Sequence, residues 1–398
     1  MLVARTRRLD ADVDLLEVSG DGGWLFEHDR AGLAGRGVAV RVAVEDADEL
    51  LASIPVDDEV GRPGCGPIAF GALPFHPDAR AELVIPALVV GTDGEGTRWI
   101  TTVGPGREAP DPPAQLSAPA NPAPLPTQFD VRTVQDPAEW CAAVAEATRR
   151  IRAGAFDKVV LAREVVVTAD EPLRVDEIMA RLRVAFAGCY LFSVDGMVGA
   201  SPELLVSRTG DVVRAQPMAG TAPRGGDPRS DARLAAALLA SPTYRHEHQV
   251  TIDMVHDTLL PFCSYLDDEA EPSVVALPNV SHLATRVEGR LSHPAASVLE
   301  LARALHPTPA VCGRPREAAR AAIVELEPTP RDRYAGLVGW VDGRGNGTWA
   351  VGIRCAQVDG RVARLHGGCG IVADSDPAAE LAESRAKLQA VLGAIVRP

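Results

Sequence analysis

Few side chains in this sequence stand where they could move a proton, and the first of them comes at residue 158. In FDKVVLAR (156–163) a strand pattern sets Lys158, Val160 and Ala162 on one face. A lysine desolvated by such neighbours loses basicity and can act as a general base near neutral pH, while the same lysine at a strand end can snorkel to water. In ASPELL (200–205), Glu203 opens a strand between two hairpin signals. Held beside apolar residues its carboxyl group would have a raised pKa and could donate a proton; at an exposed strand end it would be an ordinary carboxylate.

A second group of residues suits an anion or a cation. The two histidines of RHEH (245–248) stand at i, i+2 and point apart on a helix, which rejects a zinc pair. Glu247 instead shares a face with Val250 and Met254, so its carboxylate projects toward the core and needs a cation. Hard oxygen donors of this kind suit Mg²⁺, with further ligands far along the chain. Glu380, Glu383 and Lys387 follow at i, i+3, i+7 beside the apolar stripe Leu381, Leu388, Val391, Leu392 and Ile395. They read either as ligands or as a salt-bridged solvent face. Arg354 is the one charge in an apolar strand pattern, apt for bidentate carboxylate binding. Gly367, Gly368 and Gly370 leave backbone amides bare, and PMAGTAPRG (217–225) suits either close backbone approach to an anion or a structural turn.

The elements that must position these groups are mixed. Strand patterns occupy 158–168, 336–341, 349–358 and 362–371, with turn signals at Asp195-Gly196 and at 209–211. Helical patterns cover 138–153, 231–240 and 243–260, and a last helix starts after Asp376 with Pro377 at its first position. Without a regular βαβ alternation, a Rossmann or barrel fold is disfavoured. The Pro- and Ala-rich stretch 105–126 reads as a surface connection between residues 1–104 and a core of 130–398, within one domain.

Composition narrows the class. The net charge of −14 argues against a nucleic-acid or anionic-membrane partner, so an anionic substrate must be caught by local Arg, Lys or metal ions. Seven scattered cysteines without a C-x-x-C favour reduced thiols, and neither a secretory leader nor a membrane span is evident, so a cytoplasmic location is expected.

Taken in order, the motifs FDKVVLAR, ASPELL, PMAGTAPRG, RHEH, HLAT, LHPTPAVCG, ELEP, GLVGWVDGRGNG, IRC and GIV with E-x-x-E-x-x-x-K resemble the chorismate-utilising enzymes. FGALPFHP (70–77) is similar to a segment of the isochorismate synthases in that family. Ala219 stands where aminodeoxychorismate-forming members carry a nucleophilic lysine, and Lys158 stands where members that add water at C2 carry theirs. The resemblance implies isochorismate synthase activity, with a salicylate synthase or a catalytically idle chorismate-binding protein as alternatives. It also implies an α/β (α+β) fold, a single large domain of two antiparallel β-sheets packed face to face with helices outside.

By the same resemblance Lys158 activates water for attack on C2, and Glu203 protonates the departing C4 hydroxyl. Glu247 and Glu383, assisted by Glu380, hold Mg²⁺ against the ring carboxylate. Arg354, Thr221 and the Gly368 backbone hold the enolpyruvyl carboxylate, and Lys387 balances the carboxylates. Gly220, Ala222, His306 and Gly313 of the same motifs are further candidates for substrate binding. No glutamine amidotransferase partner is implied, and a monomer is. Three departures are visible: 242–244 reads Pro-Thr-Tyr, Thr348 replaces an acidic residue, and Cys369 replaces an alanine.

Overall fold

The computed structural model of the protein describes residues 1–113, 115–118, 123–278 and 280–396. Strand pairing builds one network of twenty strands and a separate sheet of three, Met218–Pro223, Val280–Ala284 and Ser273–Ala276. Neighbours are antiparallel except where Ala4 to Thr6 run parallel to Val56–Asp58.

The network folds over into two layers. The first runs from Leu2–Arg8 through Arg98–Pro105, Glu82–Asp93, Ala31–Ala43, Trp24–His28, Tyr190–Val194, Met197–Ser201, Cys355–Asp359 and Val362–Ile371 to Lys158–Ala169. The second runs from Ile68–Leu73 through Leu337–Asp342, Gly347–Val351, Leu204–Thr209, Val212–Ala215 and Val287–Leu291 to Cys263–Asp268. A pairing of Phe70 with Val84 joins the layers at one edge, so the two expected sheets are arms of one folded network.

Alternation along the strands decides what each face meets. Phe192, Val194 and Met197 of the first layer share a core with Phe70, Leu205 and Trp349 of the second. Their neighbours Leu191, Val198 and Ala200 turn outward to a second core covered by helices, including Ile178 and Leu182 of Val175–Ala185 and Val391 and Ile395 of Pro377–Val396. Helices therefore lie outside the sheets, as expected. Residues 1–104 do not form a separate unit: Trp24–His28 pairs with Tyr190–Val194, and Ile68–Leu73 with Leu337–Asp342.

The hairpin at Asp195-Gly196 is built as the turn residues dictate, with both in positive φ, 49° and 77°, between the paired Val194 and Met197. The described part of the Pro-rich stretch is strapped to the body. Thr102 Oγ1 donates to Pro110 O at 2.6 Å, and the Ala118 amide donates to Glu17 O at 2.7 Å. Residues 114 and 119–122 of it lie outside the described residues.

One strand expectation is corrected. The pattern at 349–358 is not a single strand: Gly347–Val351 belongs to the second layer and Cys355–Asp359 to the first, and 352–354 is the crossing between them. Alternation alone cannot reveal this break, because the apolar residues on either side are buried in both layers. A matching crossing lies at Pro202 and Glu203, between Met197–Ser201 and Leu204–Thr209.

Candidate active site

Both crossings open onto a cleft of about 840 Å³. Opposite them stand the small sheet and the helix Pro242–Leu259, and the helix Pro377–Val396 closes one end. The cleft exists because chain that changes layers cannot continue the ladder, so side chains at the crossings point into the space between elements.

Glu203 stands at the first crossing, 4% exposed, with its amide donating to Ser201 Oγ at 3.3 Å. Burial drives its pKa up to about 7, against the lowering effects of the Met218 backbone, Arg354 and Lys158. A carboxyl group poised there can both give and take a proton near neutrality. Lys158 begins its strand, 9% exposed, and its Nζ donates to Glu247 Oε1 at 2.6 Å. Gly370 makes room for that contact: a Cβ on it would lie 2.8 Å from Lys158 Cε and 3.6 Å from Glu247 Oε1. Burial raises the Glu247 carboxyl pKa, but Lys158, with help from Lys387 and His248, outweighs it and holds the group below its ordinary range.

Arg354 occupies the second crossing with φ of 53°, a left-handed conformation, and so turns out of the strand direction into the cleft. The side chain is buried, its Nε has no hydrogen-bond partner among the described residues, and burial lowers its pKa. A buried guanidinium with an unsatisfied donor is completed by an anionic ligand. Gly220 and Thr221 face it from the small sheet, where the pairing with Val280–Ala284 slips between Ala219 and Thr221 and Gly220 adopts φ of 74°.

The apolar stripe of the last helix is buried at Leu388, Val391 and Ile395, and that fixes the helix rotation so that Glu380, Glu383 and Lys387 line the cleft. Lys387 Nζ donates to Gly368 O at 2.9 Å and pairs with Glu383 at 2.6 Å. The i, i+4 pair of the salt-bridged reading is therefore present, but it lies on a face that lines the cleft. Carboxylate oxygens of Glu380 and Glu383 and the Cys369 sulfur lie within 4.8 Å of one another. Burial, then the adjacent Glu383, push the Glu380 pKa up to about 7. Glu247 stands in the same cleft but is held by Lys158. The two carboxylates suit a hard divalent cation, since crowded, partly buried carboxylates lower their mutual repulsion by sharing one, whereas burial keeps the Cys369 thiol protonated and a poor ligand.

Three expected binding residues lie elsewhere. The Ala222 side chain turns into a small core with Leu238 and Leu283, because alternation along the strand carries it away from the Thr221 face. His306 is buried outside the cleft lining with Nε2 2.9 Å from Phe75 O, and burial lowers its pKa to about 4. Gly313 is a packing necessity: a Cβ there would come within 2.2 Å of Lys158 O, so it lets the chain approach the strand that carries Lys158. Of the departures, Tyr244 lines the cleft, whereas Thr348 pairs with Ser207 and Trp340 outside it.

His282 and Tyr334 line the cleft without having been singled out for the site, and Tyr244 lines it having been noted only as a departure. His282 lies in the HLAT motif, yet a histidine in a short apolar strand gives no sign of its partners. Tyr334 is stacked on His366 with ring centroids 5.0 Å apart.

Comparison with known proteins shows the family. A family model described as chorismate binding enzyme matches residues 39–396. The isochorismate synthase DhbC of Bacillus subtilis is 38% identical over 340 residues, covering 83% of this chain and 81% of that protein. MenF of Mycobacterium tuberculosis is 42% identical over 349 residues, covering 84% and 88%. The crystal structure of DhbC from Bacillus anthracis superposes with a TM-score of 0.80 at 33% identity, over 96% of this chain and 99% of that one. The chain therefore belongs to the chorismate-binding enzyme family.

Proposed function

We propose that the protein is an isochorismate synthase that interconverts chorismate and isochorismate. The observation that carries this reading is the convergence of Lys158 and Glu203 on one cleft, with the Glu203 carboxyl group titrating near 7. Lys158, ion-paired with Glu247 in this structure, must first give up its extra proton to solvent; as the free amine it takes a proton from water while the water oxygen bonds to C2 of the ring. The ring double bonds shift, the C4–O bond breaks, and Glu203 protonates the departing hydroxyl, which leaves as water. Lys158 ends protonated and Glu203 ionised, and both return through exchange with solvent. The reverse reaction uses the same groups with their protonation exchanged.

Arg354 and Thr221 hold the enolpyruvyl carboxylate, and the Lys387 contact to Gly368 O fixes the strand that passes beneath it. Glu383 and Glu380, with Glu247 across the cleft, would hold Mg²⁺, which supplies positive charge to bind the ring carboxylate. Two anchored anionic arms fix the ring between base and acid, so catalysis rests on positioning and electrostatics. Ala219, buried beside the cleft, offers no amine nucleophile, which favours water as the attacking group. The protein would work in the cytoplasm, as a monomer and without an amidotransferase partner. No helix among the described residues is long and apolar enough to cross a membrane.

The test is to incubate the purified protein with chorismate and Mg²⁺ and separate the products. A reversible mixture of chorismate and isochorismate is expected. Release of pyruvate at the rate of chorismate loss, with salicylate formed, would make it a salicylate synthase instead.

A further inference from the structure

His282 sits at the centre of the small sheet, on Val280–Ala284, and touches three parts of the site at once. Its Nδ1 is 3.1 Å from Gly220 O and 3.2 Å from Thr221 Oγ1, and its Nε2 is 3.2 Å from Arg354 Nη2. These partners leave the ring no choice of tautomer. A carbonyl oxygen only accepts, so Nδ1 must carry the proton; a guanidinium only donates, so Nε2 must be bare. The imidazolium form would place an N–H against the Arg354 cation. Burial, then Arg354 and Lys387, push the histidine pKa down to about 3, so the neutral ring is the working form.

The consequence reaches Thr221. With Nδ1–H shared between Gly220 O and Thr221 Oγ1, the threonine oxygen accepts from the ring, and its own hydrogen is directed away from it, on the side that lines the cleft. Arg354, docked on Nε2 through Nη2, keeps its other N–H groups for the cleft, including the Nε that has no partner among the described residues. We infer that His282 is a positioning residue: as a neutral Nδ1–H imidazole it sets Thr221 and Arg354 to act together as donors, making this end of the cleft a receptor for a carboxylate. It acts through these two residues and need not touch the reacting atoms. The inference rests on the proposed function only for the identity of the carboxylate, the enolpyruvyl arm of chorismate.

Two measurements test it. Nitrogen NMR of the substrate-free protein with ¹⁵N-labelled histidine, near neutral pH, reads the tautomer directly and does not depend on any activity. A protonated Nδ1 and bare Nε2 at His282, identified as the signal lost in His282→Gln, is expected. The Nε2–H tautomer or an imidazolium would overturn the inference. Steady-state kinetics on variants then separates positioning from packing. His282→Leu keeps the volume but not the polarity, and KM for chorismate should rise roughly 10- to 100-fold with a smaller change in kcat. His282→Gln, which can donate to Gly220 O and accept from Arg354, should recover a large part of that loss. Equal impairment of both variants, or a loss confined to kcat, would show that the ring does not act by setting these donors. If the chain made no isochorismate at all, the tautomer reading would still stand or fall by itself.

Discussion

Glu203 and Arg354 stand on adjacent crossings that are hydrogen-bonded to each other: the Val351 amide donates to Glu203 O, and the Ala200 amide donates to Arg354 O, both at 3.1 Å. The proposed proton donor and the proposed carboxylate-binding cation are thereby fixed on one corner of the fold. Their roles still separate in kinetics. Arg354→Ala removes a partner that acts in the ground state and the transition state alike, so KM for chorismate should rise by roughly 10-fold or more while kcat changes less. Steady-state kinetics with product separation checks this; a kcat loss at unchanged KM would remove Arg354 from substrate binding.

Glu203→Gln and Lys158→Ala each remove one of the two proposed proton transfers. Each should lower kcat by roughly 10²- to 10⁴-fold, with a much smaller change in chorismate binding. Near-normal turnover in folded Lys158→Ala would mean that another group activates water.

The pH dependence has a definite sign. In the proposed mechanism Glu203 must be protonated in the forward direction, and its pKa is raised by burial to about 7. Forward kcat/KM should therefore fall as pH climbs through about 7, and the reverse reaction should lose activity as pH drops through the same region. Profiles in both directions read this limb, and Glu203→Gln should lack it.

Metal binding is measurable without turnover. If Glu383 is a ligand, Mg²⁺ should raise the Tm of the substrate-free protein in a concentration-dependent way, and Glu383→Gln should weaken that shift. EDTA should abolish turnover and added Mg²⁺ restore it. Full activity in EDTA would end the metal assignment.

Two glycines should behave differently. At Gly370 a methyl group meets the flexible end of Lys158, so Gly370→Ala should leave Tm nearly unchanged and lower kcat by disturbing the Lys158–Glu247 contact. At Gly313, where φ is 136°, the methyl meets the Lys158 backbone oxygen, so Gly313→Ala should cost about 1–3 kcal/mol of stability in thermal unfolding. The opposite ranking would reverse the two roles.

The sequence by itself determined the local facts. Turn residues set the hairpin at Asp195-Gly196, Pro377 starts the last helix, and the stripe ending at Ile395 fixes which of that helix's faces is buried. Motif order also placed Lys158, Glu203, Arg354, Glu383 and Lys387 in one family pattern, and all five line the cleft. Only the tertiary structure decided how they meet. Alternation and helical period describe one element at a time, so they could not show that 349–358 breaks to carry Arg354 from one layer to the other. Nor could they show that Lys158 is held by Glu247, or that Ala222, His306 and Gly313 serve packing. His282 makes the same point: its tautomer and task come from partners 61, 62 and 72 positions away in sequence, which come together only when the small sheet closes over the crossings.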